Sequence, residues 1–74
     1  MVLLGKMKAG QEGVVKKVNG EGNLRYRLLD MGLIPKTRVK VVKFAPMGDP
    51  MEITLRGYNL TIRTSDANMI EVEI

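Results

Sequence analysis

A small, strongly bent antiparallel β-barrel of five strands, with one short inserted α-helix and a helical turn before the last strand, is the fold this sequence predicts. Three observations predict it. Polar and apolar residues alternate with a period of two in four short segments; glycine, proline or Asn-Gly punctuates the gaps; and only Asn23–Met31 switches to a sustained helical spacing. With 74 residues there is room for one core, so residues 1–74 read as a single domain.

Each element carries its own signal. EGVVKKVNG is rich in β-branched residues and closes on Asn-Gly, so Glu12–Val18 reads as a strand ending in a turn. Leu24, Leu28 and Met31 then recur at i, i+4 and i+7, one face of a helix that Asn23 would cap and Gly32 would end, with Pro35 just beyond. At about eight residues such a helix persists only when docked, and plugging an open end of the barrel gives it that support. Asp30 falls in its last turn, where the helix dipole disfavours an acid, so Arg27 or another basic neighbour is expected to offset it.

Thr37–Phe44 alternates, with Val39 and Val41 on one face and Arg38 and Lys40 on the other. Met51, Ile53 and Leu55 share a face, as do Tyr58, Leu60 and Ile62, and a turn near Gly57 pairs the two runs as a hairpin. Ser65 and Asp66 open a helical turn as cap and first-turn acid, and Ile70, Val72 and Ile74 form the last strand.

Composition narrows the chemistry. There is no cysteine, which excludes disulfides and thiolate metal sites, and no histidine. The carboxylates are scattered, so no nucleophile with a base can be assembled, and the chain reads as a non-enzyme with no catalytic residues, no cofactor and no small-molecule substrate. GKMKAGQE has two glycines at phosphate-loop spacing but lacks the lysine, and GEGNLR places Arg25 where a dinucleotide loop needs its third glycine. The six methionines form no tight soft-metal cluster; Met31, Met51 and Met69 fall on expected core faces, so no metal site is assigned. Met47, in the loop APMGDP, has no core periodicity to explain it. The apolar run near the start is too short for a membrane span, and a cytoplasmic protein is expected.

The net charge of +4 is unevenly divided: residues 1–44 carry +7 and residues 45–74 carry −3. A nucleic-acid-binding barrel using Lys16, Lys17, Arg38, Lys40 and Lys43 is therefore one reading of the basic half, weakened by the scarcity of aromatic residues for stacking bases.

The assembled pattern resembles the ferrous iron transport protein A family, FeoA, over nearly the whole chain. RLLDMGL (Arg27–Leu33), APMGDP (Ala45–Pro50), GYNLTIR (Gly57–Arg63) and the DANMIEV ending carry the resemblance through their order and spacing. It implies an SH3-like barrel and a cytoplasmic accessory role beside the membrane ferrous iron transporter FeoB, touching its cytoplasmic GTPase portion and modulating transport. The candidate partner-binding residues are the outer helix face, Arg25, Tyr26 and Leu29, with the loop Met47, Gly48 and Asp49; Leu29 reads equally as an interface anchor or as a side chain buried by a neighbouring loop. Direct Fe(II) binding would need oxygen ligands from Asp30, Asp49 or Glu52. The family often places glycine after the proline of GLIP, where this chain has Lys36, so a type I turn that tolerates lysine is expected there.

Overall fold

A computed structural model describes residues 1–74. The chain forms β1 (Val2–Leu3), a 3-10 turn (Leu4–Lys6), β2 (Glu12–Val18), α1 (Gly22–Asp30), β3 (Arg38–Phe44), β4 (Met51–Leu55), β5 (Tyr58–Ile62), α2 (Thr64–Ala67) and β6 (Ile70–Glu73). The strands make one antiparallel sheet in the order β1-β6-β2-β3-β4-β5. The bent sheet, the inserted helix and the helical turn are as the sequence predicts, but there are six strands instead of five. The additional one, β1, is two residues long and pairs Val2 with Val72 and Leu3 with Glu71, too short to show any alternation.

Two bulges curl the sheet. The register shifts between Val15 and Lys17 on β2 and between Val41 and Lys43 on β3, so Lys16–Lys17 and Val42–Lys43 each put two consecutive residues outside. An extra residue on one strand increases local twist and bends it, which lets a single sheet wrap a core. Inside lie Val15, Val18, Val39, Val41, Met51, Ile53, Leu55, Ile62, Ile70 and Val72, closed over by Leu4, Met7, Leu28, Leu33 and Ala67.

Helix α1 docks through Leu28, 1% exposed, with Leu24 and Met31 half-buried against the same cluster. Its end is a Schellman closure: the Leu33 amide donates to Leu28 O and the Gly32 amide to Leu29 O, with Gly32 at φ +99°. The Tyr58 hydroxyl donates to Met31 O at 2.6 Å, tying the helix end to β5. At the other end the helix begins one residue before Asn23; Glu21 occupies the cap position and no side chain caps it, so Asn23 lies within the first turn.

Three further local expectations are corrected. Ser65 does not cap α2; Arg63 holds the cap position, and the first amide is satisfied from the loop before β4. Arg27 turns away from Asp30 and pairs with Asp66 on α2, Nη2 to Oδ2 3.5 Å. Lys36 sits at φ +77°, making Ile34–Thr37 a type II turn closed by the Thr37 amide on Ile34 O, where a type I turn was expected. The cause is the ladder beneath it: Lys36 N donates to Val15 O at 2.7 Å and Val15 N to Thr37 O at 2.8 Å, which fixes the orientation of the turn whatever its side chain.

Candidate functional site

The two expected patches, the outer face of α1 and the loop between β3 and β4, flank α2. Asp49 in the loop accepts from the Thr64 amide at 2.7 Å and from the Thr64 hydroxyl at 3.1 Å, and Asp66, within the same helical turn, meets Arg27 of α1. A single turn of helix therefore joins loop and helix into one surface. Thr64, Asp66 and Arg27 have no linear signal for this role, because their partners lie 15 and 39 positions away.

Individual residues differ in what they offer. Tyr26 is 63% exposed and Met47 93%, the two most open apolar side chains in this region. Met47 stands at the tip of the loop, beside Gly48 at φ +87°, in a turn where the Gly48 amide donates to Ala45 O at 2.7 Å. Arg25 is exposed, yet its Nε donates to Val18 O at 3.3 Å, so it also ties α1 to the end of β2. Leu29 is half-buried and packs against the core cluster. Asp49 accepts from Thr64 through one carboxylate oxygen and so holds the loop in place.

Electrostatics give this surface no strong sign. Asp66 and Arg27 face each other, and as a pair near solvent they contribute at most about 1 kcal/mol. A shallow cavity of about 170 Å³ lies at the base of the loop, lined by Lys43, Ala45, Pro50, Met51, Glu52 and Thr61.

The basic strands do not form a continuous positive face. Lys16 pairs with Glu73 at 3.5 Å and Arg38 with Glu12 at 3.9 Å, while Lys17, Lys40 and Lys43 stand opposite Glu71, Glu12 and Glu52 in the sheet register. Each cation is thus set beside an acid, and the field a phosphate backbone would follow is broken up. The oxygen ligands considered for Fe(II) are likewise dispersed: Asp49 serves Thr64, Glu52 accepts from Asn59 Nδ2 at 3.1 Å, and no three acidic groups converge on one point.

Comparison with known proteins agrees with this fold. Residues 2–74 match the family model described as FeoA domain. An Fe(2+) transport protein A/Fe(2+) transporter FeoB fusion protein of Porphyromonas gingivalis is 37% identical over 71 residues, which are 96% of this chain but 8% of that protein. The chain thus spans a small part of the length of that relative. The FeoA protein of Chlorobium tepidum superposes with a TM-score of 0.90 at 41% identity, covering 99% of this chain and 70% of that one. A zinc complex of Stenotrophomonas maltophilia FeoA, described as an SH3 domain protein, superposes at 0.85 over 99% of this chain and 91% of that one; at 21% identity it shows the shared fold alone. With the match running from the first strand through the last, this chain belongs to the FeoA family.

Proposed function

We propose that this protein is a cytoplasmic accessory factor of ferrous iron uptake, without chemistry of its own, that docks on the cytoplasmic GTPase portion of a FeoB-type transporter and modulates transport. The observation that carries the reading is the natural fusion: a relative 37% identical over 96% of this chain is continuous with a FeoB transporter, which keeps the two functions in one polypeptide. No helix of this chain is long and apolar enough to cross a membrane.

The docking surface proposed is the one organised by α2, with Tyr26 and Met47 as its apolar anchors and Gly48 giving the loop its shape. Aromatic and methionine side chains standing free of a core are well suited to fill pockets on a partner. Leu29 and Asp49 contribute by holding α1 and the loop in position, and Arg25 by fixing the helix to β2.

The test is titration of this protein into the purified cytoplasmic portion of its FeoB partner, by calorimetry, with and without guanine nucleotide. Tyr26→Ala combined with Met47→Glu should weaken association at least tenfold, the loss of about 1.4 kcal/mol or more expected for interface anchors. Wild-type protein that gives no binding heat in any nucleotide state would overturn the reading, and a double variant that binds normally would remove this surface from it.

A further inference from the structure

Strand β5 is an open sheet edge with none of the usual protections. The opposite edge, β1, is only two residues long, whereas β5 spans Tyr58–Ile62, contains no charge or proline, and pairs with β4 in unbroken register from Leu55↔Tyr58 to Met51↔Ile62. Native edges are ordinarily shortened, charged, bulged or covered, because a row of unpaired amides and carbonyls is a template for another strand. Here the free groups can be assigned. The turn joining β4 to β5 has two residues, Arg56 at φ +51° and Gly57 at φ +85°, and in such a hairpin the pair flanking the turn is hydrogen-bonded. Tyr58, Leu60 and Ile62 therefore bond to β4, while the main-chain groups of Asn59 and Thr61 point to the open side. No turn or loop hydrogen bond reaches them. The Asn59 side chain is engaged on the outer face by Glu52 and Thr54 and leaves the edge uncovered.

A second observation concerns charge. Residues 45–74 carry an excess of acids and contain only two cations, Arg56 and Arg63, and these stand at the two ends of β5. Neither belongs to any ion pair of the structure; Arg56 Nη2 donates to Thr37 Oγ1 at 3.4 Å, beside β3, and Arg63 has no side-chain hydrogen bond. A third is the row Lys43, Glu52, Thr61, successive in register across β3, β4 and β5, which forms part of the lining of the 170 Å³ cavity. A residue placed opposite Thr61 on an added strand would continue that row at the side of the cavity.

We propose that β5 receives an extended segment of another protein, adding a seventh strand to the sheet, with apolar or β-branched residues in its centre and an acidic residue at each end to meet Arg56 and Arg63. A second copy of this chain fits less well. Antiparallel pairing about Leu60 would bring Arg56 of each copy toward Arg63 of the other, on top of a net charge of +4 per chain. The proposal does not depend on the role of Tyr26 and Met47.

The probe is an acetylated synthetic peptide of alternating valine and threonine with glutamate at each end, titrated into the isotopically labelled full chain and followed by amide resonances and hydrogen exchange. Exchange at Asn59 and Thr61 should slow by about tenfold or more at saturation, with Tyr58, Leu60 and Ile62 little changed because their amides are already bonded. Arg63→Glu should weaken the peptide several-fold, and replacing its glutamates by lysine should do the same to the wild type. Thr61→Pro removes only an amide assigned to the open side, a position where edge strands accept proline, and should fold and fail to bind. Should that variant unfold, N-methylation of the peptide gives the same test: methyl groups on one alternating set of amides should abolish binding and on the other set leave it intact. Absence of binding, protection centred on α1 or the loop before β4, or indifference to N-methylation would overturn the proposal. Protection of Asn59 and Thr61 that grows with protein concentration alone would overturn the choice of occupant in favour of a second copy.

Discussion

Asp49 caps a helix that lies 15 positions further along the chain: one oxygen of its carboxylate accepts both the amide and the hydroxyl of Thr64. The loop that carries Met47 is held to α2 by this contact, so its shape and the stability of the helical turn are coupled. Asp49→Ala should cost about 1 kcal/mol, the usual value of a helix cap, and Asp49→Asn should cost less because its amide oxygen still accepts. Urea unfolding measures the loss, and amide exchange at Thr64 should accelerate in the alanine variant before global unfolding does.

Lys36 is held in the left-handed region by the two hydrogen bonds that bind its turn to Val15. That conformation costs a non-glycine residue about 1–2 kcal/mol, of which glycine's extra unfolded-state freedom would take back about 0.5–1 kcal/mol. Lys36→Gly should therefore raise stability by a few tenths to about 1 kcal/mol, an increase in melting temperature of up to about 8 °C for a domain of this size. Lys36→Val should lower it, since a β-branched residue tolerates positive φ worst. Calorimetric melting of the two variants reads both signs.

Gly5 lies where the 3-10 turn meets α2, and a β-carbon added there would meet the Asn68 side chain and, at 2.9 Å, the carbonyl oxygen of Thr64. Gly5→Ala should destabilise by about 1–3 kcal/mol, as overpacking commonly does. Shortening Asn68 to alanine in the same chain should recover part of the loss. Recovery should be incomplete, because the Thr64 carbonyl belongs to the backbone and cannot be trimmed. A double-mutant cycle in urea measures the coupling.

Leu29 and Met47 should separate stability from docking. Leu29 packs against the core while Met47 is almost wholly exposed, so Leu29→Asp should lower stability by more than about 1 kcal/mol and Met47→Glu by less than about 0.5 kcal/mol. Thermal melting of the two single variants decides it, and a loss of partner binding in Leu29→Asp would carry weight only after correction for the unfolded fraction.

What was legible in the sequence follows from the range of the interactions concerned. Val39 and Val41, or Ile70 and Val72, announce their faces because a strand with one buried side must alternate, and Leu28 marks α1 because a docked helix needs an apolar stripe. The Schellman glycine at Gly32 and the turn at Gly57 are local chemistry and could be read directly. Caps and ion pairs could not. Asn23 and Ser65 are plausible caps by composition, but α1 has no side-chain cap and α2 takes its partner from Asp49; Arg27 has Asp30 three residues away and meets Asp66 instead. β1 was missed because two residues are too few for a period. The helix periodicity and the unexplained Met47 pointed to the helix and loop patches separately, and only the folded chain shows α2 joining them.

The sheet order places β6 between β1 and β2, so the last strand of this domain is the inner neighbour of the first two. A nascent chain therefore cannot complete this interior while β6 is still within the ribosome: Val15 and Val18 lack the Val72 and Ile70 they will face until almost the whole sequence has emerged. Folding is consequently governed by distant pairing instead of local growth, which is expected to make it slow for the protein's size.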